Sequence, residues 1–438
     1  MNIPSFAQKV VDRLTKSGFE AYFVGGCVRD EIMGRCAHDY DVTTNALPEE
    51  IKKAFHDYKT ILTGEKHGTV TVVSENENVE VTTFRVDGIY LDSRHPESVS
   101  FTNKIKDDLA RRDFTVNAIA YNGGFVDPFG GIEDIKNRII KTVGDADTRF
   151  SEDALRIMRA LRFSAELGFS IEEETRRSIF KNKELLRKVS VERIFVEFSK
   201  LIMGEYAEKI LMEYALVIGV FIPEILPCVG FEQRNKYHIY DVYTHIVKAV
   251  VNSEYDLKIR LATFFHDIGK PDCFTFDGES GHFKGHDKTS AEIAHTVLTR
   301  LKVDNETKNT VTELVREHQR DIIPEEKYVK RMLSKFSYDF FDMLMKVKRA
   351  DTIAHSKLAE KNFEVIEKLC DIKKDVMLKG DCLHVKDLKV NGHDLIAAGI
   401  IDGRKIGEML NLLLNEVIEG NVKNEREKLM EIVKKHCD

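Results

Sequence analysis

Asp39-Tyr40-Asp41 is the first place in this sequence where residue type and spacing point to chemistry. In extended chain, residues i and i+2 share a face, so the run Asp39 to Thr44, read as a strand, sets Asp39 and Asp41 side by side. Two carboxylates this close repel unless a cation lies between them. Phosphoryl transfer uses two Mg²⁺ about 4 Å apart, held by carboxylates with room left for substrate oxygens. Upstream, Phe23-Val24-Gly25-Gly26-Cys27-Val28-Arg29-Asp30 puts two glycines where a strand gives way to a helix. Without side chains there, backbone N–H groups can approach a phosphate closely, and the helix N-terminus adds positive potential. Arg29 then grips a triphosphate. Glu80, on the β-branched run Val79 to Phe84, offers a third carboxylate. The expectation is a catalytic set of Asp39, Asp41 and Glu80, with Asp39 and Asp41 as Mg²⁺ ligands and Gly25, Gly26 and Arg29 at the nucleotide. Taken singly, each motif has a plainer reading, as an ordinary turn or a solvated strand end.

In this order the residues resemble the head of the polymerase-β-like nucleotidyltransferases, and more narrowly the class II tRNA nucleotidyltransferases and related bacterial poly(A) polymerases. Arg111-Arg112-Asp113-Phe114-Thr115-Val116-Asn117-Ala118 is similar to that family's second motif, whose arginine contacts the nucleotide, a role the resemblance gives to Arg112. Val126 to Gly131 and Ile139 to Gly144 follow as in the family. Ser151-Glu152-Asp153-Ala154-Leu155-Arg156 reads as a helix start, with Ser151 as N-cap and two acids in the first turn. Asp153 and Arg156 then stand at i, i+3, the spacing of a surface ion pair. Their chemistry allows more. Cytosine and adenine both present an amino donor beside a ring-nitrogen acceptor, and uracil and guanine present the reverse. A fixed carboxylate only accepts and a fixed guanidinium only donates. An Asp–Arg pair in the plane of the base thus admits C and A, and a mismatch strands buried groups at about 1–3 kcal/mol each. The resemblance assigns that role to Asp153 and Arg156. It also brings Arg159 and Arg162 near the nucleotide, although Arg162 lies nine helical residues from Asp153, on the opposite side. Arg85 to Pro96 resembles the mobile loop with which full CCA-adding and A-adding members switch to ATP, and its length argues against CC-only addition.

Further along, His245, His266-Asp267, His286, His318 and Asp351 punctuate helical segments in the order H…HD…H…H…D. That order resembles the HD phosphohydrolase superfamily. The resemblance implies a divalent metal, distinct from the Mg²⁺ pair, on His245, His266, Asp267 and Asp351. Imidazole with carboxylate suits Mn, Ni, Fe or Mg better than a structural zinc. Such an ion can activate water against a phosphate ester.

These residues need a scaffold of two kinds. Thr69 to Val73 and Val79 to Phe84 read as a hairpin across Ser-Glu-Asn-Glu-Asn, Thr60 to Thr63 and Glu20 to Val24 as strands, and Phe6, Val10, Val11 and Leu14 as one helix face ended by Gly18. From Ser151 onward the period is helical, with breaks near Pro223, Pro227 and Pro271. The fold class expected is α+β: a small polymerase-β-like head, a mixed sheet with helices, followed by an extended all-α body that includes an HD-type domain. The divisions are a head at 1–150, a base-reading neck at 151–205, a body with the HD domain at 206–380 and a tRNA-binding tail at 381–438. Basic residues near 327–335 and Arg404-Lys405 are candidates for tRNA phosphates. Within 438 residues, 42% are apolar and 32% charged, and no apolar run approaches a membrane span. The first residues lack the layout of a signal peptide. Seven scattered cysteines without a C-x-x-C pair point to reduced thiols in the cytoplasm. A net charge of −7 means that an RNA partner must meet a local basic surface. Together these lead to template-independent addition of CCA to tRNA from CTP and ATP, with an A-adding-only enzyme or a poly(A) polymerase as alternatives. A phosphohydrolase with a merely binding head and a non-catalytic RNA scaffold are the readings from other classes.

Overall fold

Alternation builds the sheet. Val70 and Val72 on one run and Val79 and Val81 on the next are fully buried, while the residues between them face outward or lie at the rim. The two runs pair across Glu75 and Asn76, both at positive φ (52° and 69°), the conformation of a two-residue type I′ turn. The turn is tighter than the five-residue connection expected from sequence.

The computed structural model describes residues 1, 3–37, 39–64, 68–88 and 99–437, in two compact units, Met1–Leu226 and Pro227–Asp438. In the first unit the strands are β1 (Ala21–Val24), β2 (Asp41–Thr44), β3 (Lys59–Gly64), β4 (Thr69–Ser74), β5 (Glu77–Thr83), β6 (Arg85–Asp87), β7 (Val99–Phe101), β8 (Ala120–Tyr121) and β9 (Phe125–Val126). Seven form one sheet in the order β3-β4-β5-β2-β1-β8-β9. β2 and β5 run parallel and the other neighbours antiparallel, so the sheet is mixed as expected. β6 pairs with β7. The switching loop expected at 85–96 lies outside the described residues from Ile89 onward.

β2 begins at Asp41, so Asp39 stands just outside the ladder, against the expectation of one strand carrying both. The reason lies in β1. Its last residue, Val24, pairs with Asp41, and Gly25 then leaves the strand at φ 80° for helix Gly26–Ile32. No β1 backbone remains to pair with Asp39. Tyr40 between them is buried, its ring edge-on to Phe6 and Phe23. The N-terminal helix Ser5–Lys16 buries Ala7, Val10, Val11 and Leu14 and ends at Gly18.

The neck also departs from expectation. Asp145, not Ser151, caps the helix Ala146–Glu152, accepting from the Thr148 amide at 2.8 Å. Ser151 sits in that helix's last turn and donates back to the Asp147 carbonyl. The chain then breaks at Asp153 (φ −137°, ψ 103°), whose carboxylate accepts from Leu155 N, and helix Leu155–Leu167 follows. A short aspartate side chain that bonds its own downstream amide offers the backbone an alternative to helix. Asp145 and Asp153 both take that option, so the base-reading residues flank a helix junction. The division expected at 150/151 falls inside a helix, and head and neck belong to one unit.

The second unit is helical, its main helices running Val242–Val251, Leu257–Phe265, His286–Arg300, Asn305–Glu317, Glu326–Lys335, Tyr338–Ile353 and Lys361–Lys379. Asp241, Asp256, Asp304 and Ser337 cap four of them. The expected proline breaks are 3₁₀ turns at Pro223–Cys228 and Pro271–Cys273. From Cys382 to Val433 the chain gathers its own apolar cluster, centred on Leu395, Leu413 and Leu429.

Because Asp145 caps the helix that ends at the Asp153 break, Asp145→Ala should cost about 1 kcal/mol. A lower urea midpoint at unchanged slope would report it.

Candidate functional site

The parallel register of β2 and β5 places Asp41 directly opposite Glu80. Gly25 lies against both Asp41 and Arg112: a Cβ built there would meet Arg112 Nη1 at 3.2 Å and Asp41 Oδ2 at 4.0 Å. With φ at 80°, any other residue at position 25 would be strained as well as crowded. Asp41 is open to solvent on one side, yet desolvation pushes its carboxyl up to about 6, with Glu80 and Asp39 adding to the rise and Arg112 opposing it. Asp39, Asp41 and Glu80 thus share one electrostatic site. Their oxygens are not drawn into a tight cage: among the described residues, the groups of three or more ligands within 4.8 Å of one another lie in the second unit.

Arg112 is held by Asp108, which is fully buried, at 3.5 Å. Burial works to raise the Asp108 carboxyl, but Arg112 and Arg111 outweigh it and hold it below the ordinary range. Arg112 Nε is buried and makes no hydrogen bond. Arg29 donates to Asn117 at 2.8 Å and pairs with Asp30. Arg159 donates to Asp113 at 2.7 Å, which brings that carboxyl down to about 2 against its burial. Arg162 reaches Glu197 at 3.2 Å. The guanidinium groups of Arg29, Arg159 and Arg162 lie 5.2, 5.1 and 4.2 Å from the centre of one buried ring, Phe163. Three cations around one ring repel each other and favour a nearby polyanion. Helix geometry counted from Asp153 set Arg162 apart, but the break at Asp153 voids that count, and Arg162 joins Arg29 and Arg159.

Asp153 and Arg156 do not pair with each other. Asp153 accepts from Arg193 at 3.0 Å, and Arg156 reaches Glu152 at 2.6 Å and the carbonyls of Arg149 and Arg111. The surface ion pair that spacing alone suggests is absent. Asp108, Glu152, Arg193 and Glu197 were not foreseen as site residues. Glu152 and Asp108 carried a local signal, each four residues before the arginine it holds.

In the second unit His245, His266, Asp267 and Asp351 converge as expected. His245 Nε2 is 2.9 Å from Asp351 Oδ1 and 3.2 Å from both Asp267 Oδ2 and His266 Nε2. His245 and His266 are fully buried and Asp267 nearly so. His266 Nδ1 donates to the Thr263 carbonyl at 2.6 Å, which turns the Nε2 lone pair inward. Burial opposes charge on His266, but Asp267 and Asp351 outweigh it and raise its pKa. Asp267 Oδ2 is buried among His245, His266 and the Lys270 ammonium, the last at 2.6 Å. The donor set fits a divalent ion. His286 and His318 lie beyond Asp267. His238 and His355, not foreseen, stack at 4.4 Å beside His245. A cavity of about 310 Å³ opens onto Asp267, Lys270, His318, Asp351 and His355.

A mixed sheet with facing carboxylates beside a Gly-Gly turn, under an arginine cluster, defines a nucleotidyltransferase head. Residues 21–141 match the poly A polymerase head domain, 168–227 the RNA and SrmB-binding site of polymerase A, and 286–433 the tRNA nucleotidyltransferase domain 2. A CCA-adding enzyme of Lactobacillus delbrueckii subsp. bulgaricus is 53% identical over 201 residues, 45% of this chain and 50% of that one. At that level the chain spans about half the length of the curated relatives it matches. A CCA-adding enzyme of Streptococcus mutans is 33% identical over 446 residues, covering 100% of this chain and 99% of that one. The structure of the Bacillus stearothermophilus CCA-adding enzyme in complex with CTP superposes with a TM-score of 0.71 at 30% identity, over 99% of this chain and 97% of that one. The chain belongs to the family of CCA-adding enzymes. No helix among the described residues is long and apolar enough to cross a membrane.

The raised Asp41 carboxyl sets a pH test. Below about 6 it is protonated, repels Glu80 less and holds a cation poorly; above about 6 it is charged and a cation relieves the repulsion. Mg²⁺ should therefore raise the melting temperature of the first transition at pH 8 by on the order of 3 °C at tenfold over its dissociation constant, and much less at pH 5. Asp41→Asn should flatten both responses.

Proposed function

We propose that the protein adds C, C and A in turn to the 3′ end of tRNA, using CTP and ATP without a template, in the cytoplasm. Family membership supports the reaction class. The observation that carries the reading is the Asp41–Glu80 register beside Gly25 and Arg112, where a carboxylate raised to about 6 lies beside a half-buried arginine. Asp39 and Asp41 would hold two Mg²⁺, with Glu80 beside them. Bound there, the ions would lower the barrier to attack of the tRNA 3′-hydroxyl on the α-phosphate and neutralise the leaving pyrophosphate. Gly25 and Gly26 leave backbone amides open to the triphosphate. Arg29, Arg112, Arg159 and Arg162 supply positive charge along it. Asp153 and Arg156, each fixed by another residue, present an acceptor and donors to the Watson–Crick edge of the base. A relative crystallised with CTP has this fold at 30% identity, which supports a nucleotide in the head.

The second unit supports an added activity. Its buried His245–His266–Asp267–Asp351 set beside an open cavity favours a metal-dependent phosphohydrolase acting on phosphate esters.

An extension assay on tRNA lacking CCA, resolved at single nucleotides, tests the main reading. Two C then one A is expected. One A added only to tRNA ending in CC would mean an A-adding enzyme, and a long A ladder a poly(A) polymerase. Asp41→Ala should lower transfer by at least roughly a thousandfold with tRNA binding retained. Arg156→Ala should cut the preference for C and A over U and G by about tenfold or more, the worth of one unmet buried group; intact discrimination in that variant would refute the base-reading role. Asp267→Ala should abolish phosphatase activity and leave nucleotide addition unchanged.

A further inference from the structure

The carboxylate of Asp108, fully buried on the helix Ile105–Ala110, divides its contacts between two sides. Its Oδ1 atom accepts from Arg111 Nε at 3.0 Å, from Arg111 Nη2 at 2.8 Å and from the Arg85 amide at 3.4 Å. Its Oδ2 atom accepts from the Thr43 hydroxyl at 3.2 Å and from Arg112 Nη2 at 3.5 Å. Donors from three separate stretches of chain thus meet on one buried group.

Each oxygen leads to a different part of the site. Thr43 lies two residues past Asp41 on β2, so the two share a face. The Thr43 hydroxyl also lies 3.2 Å from the carbonyl of Thr82, its partner in register on β5, two residues past Glu80. The Oδ2 side therefore ties Arg112 to the pair of strands that carry Asp41 and Glu80. The Oδ1 side leads toward the base. Arg111, gripped through two nitrogens, presents its carbonyl to Arg156 Nη2 at 3.2 Å, and the carbonyl before it, of Ala110, accepts from Arg149 Nη1 at 3.2 Å. The last carbonyls of a helix have no partner within it, and here arginines of the neck supply one. Arg156 is thus fixed by Glu152 and by a residue that Asp108 itself anchors.

We propose that Asp108 is a positioning residue that holds Arg112, the Asp41–Glu80 strands and Arg156 in one frame. Through Oδ2 and Arg112 it sets the grip on the nucleotide. Through Oδ1 and Arg111 it sets the selection of the base. The proposal rests on the reading of Arg156 as a base-reading residue.

The test measures kcat and KM in the full-length chain, for CTP and UTP on tRNA lacking CCA and for ATP and GTP on tRNA ending in CC. Asp108→Ala, checked for folding by circular dichroism, should raise KM for CTP and ATP and cut the preference for C and A by about tenfold or more, the worth of an unmet buried group. Arg111→Ala cuts only the Oδ1 side, so the preference should fall while KM for CTP stays within about twofold of the parent. The double variant should lose no more preference than Asp108→Ala alone, because the two changes lie on one path. Thr83→Val is the control for lost stability. It removes a buried hydroxyl's 2.7 Å bond to the Ala46 carbonyl on the same sheet and should keep the parent preference. If Asp108→Ala does not fold, Arg111→Ala, at a partly exposed side chain, decides alone. With Arg156→Ala impaired, a preference kept in Asp108→Ala or Arg111→Ala, an unchanged KM in Asp108→Ala, additive losses in the double variant, or an equal loss in Thr83→Val would overturn the positioning role. Full preference in Arg156→Ala would instead overturn the base-reading role on which the proposal rests.

Discussion

Asp108 under Arg112, Glu152 beside Arg156, Asp113 against Arg159 and Glu197 at Arg162 are four pairings of one kind: a guanidinium on the nucleotide side held by a carboxylate of low exposure. A guanidinium buried alone is costly, and one partnered with good geometry is tolerated and loses its freedom to swing. The arginines therefore arrive fixed. Asp41 is the contrast. Among the described residues its carboxylate has no ion-pair partner, and desolvation, with Glu80 and Asp39 adding to it, raises its pKa. At an effective dielectric near 20, two like charges about 4 Å apart cost about 4 kcal/mol, which a dication at the same place reverses. The charge missing at this site is positive, and it is missing at the carboxylates.

The same logic bears on the base. If Asp153 and Arg156 were paired with each other, as their spacing suggests, each would satisfy the other and a base would have to break the pair. Tied instead to Arg193 and to Glu152, they stand apart with oriented faces left over. The helix break at Asp153 makes this possible. A continuous helix would stack the two residues one turn apart on a single face. Preorganised donors and acceptors need not rearrange when the base arrives, which is what discrimination by unmet hydrogen bonds requires.

The parts legible in the sequence were those set by local period. Alternation located β4 and β5, and with them Glu80. The Gly-Gly pair marked the turn that ends β1. The order of histidines announced the buried cluster. The start of helix Ala146–Glu152 was not legible, because Ser151 is as good a cap by type as Asp145. Nor was the countercharge Glu197, which lies 35 residues from Arg162 on a surface that meets it only on folding. The facing of Asp41 and Glu80 depends on a parallel register that neither strand encodes alone. His238 and His355 lie 117 residues apart and meet only through helix packing.

The two proposed metal sites use opposite ligand chemistry, and this bears on how one chain can keep both. The head offers only carboxylate oxygens, open to solvent and not drawn into a cage. Such a site suits a hard ion that keeps its waters and exchanges with each nucleotide. The second unit offers imidazole nitrogens in a buried shell whose Nδ1 atoms are already committed to carbonyls. That shell favours a borderline ion held through many turnovers. Mg²⁺ competes poorly for the imidazoles, and a scarce transition ion gains little at loose carboxylates. The separation needs no wall between the sites. It follows from oxygen alone in one unit and nitrogen beside oxygen in the other.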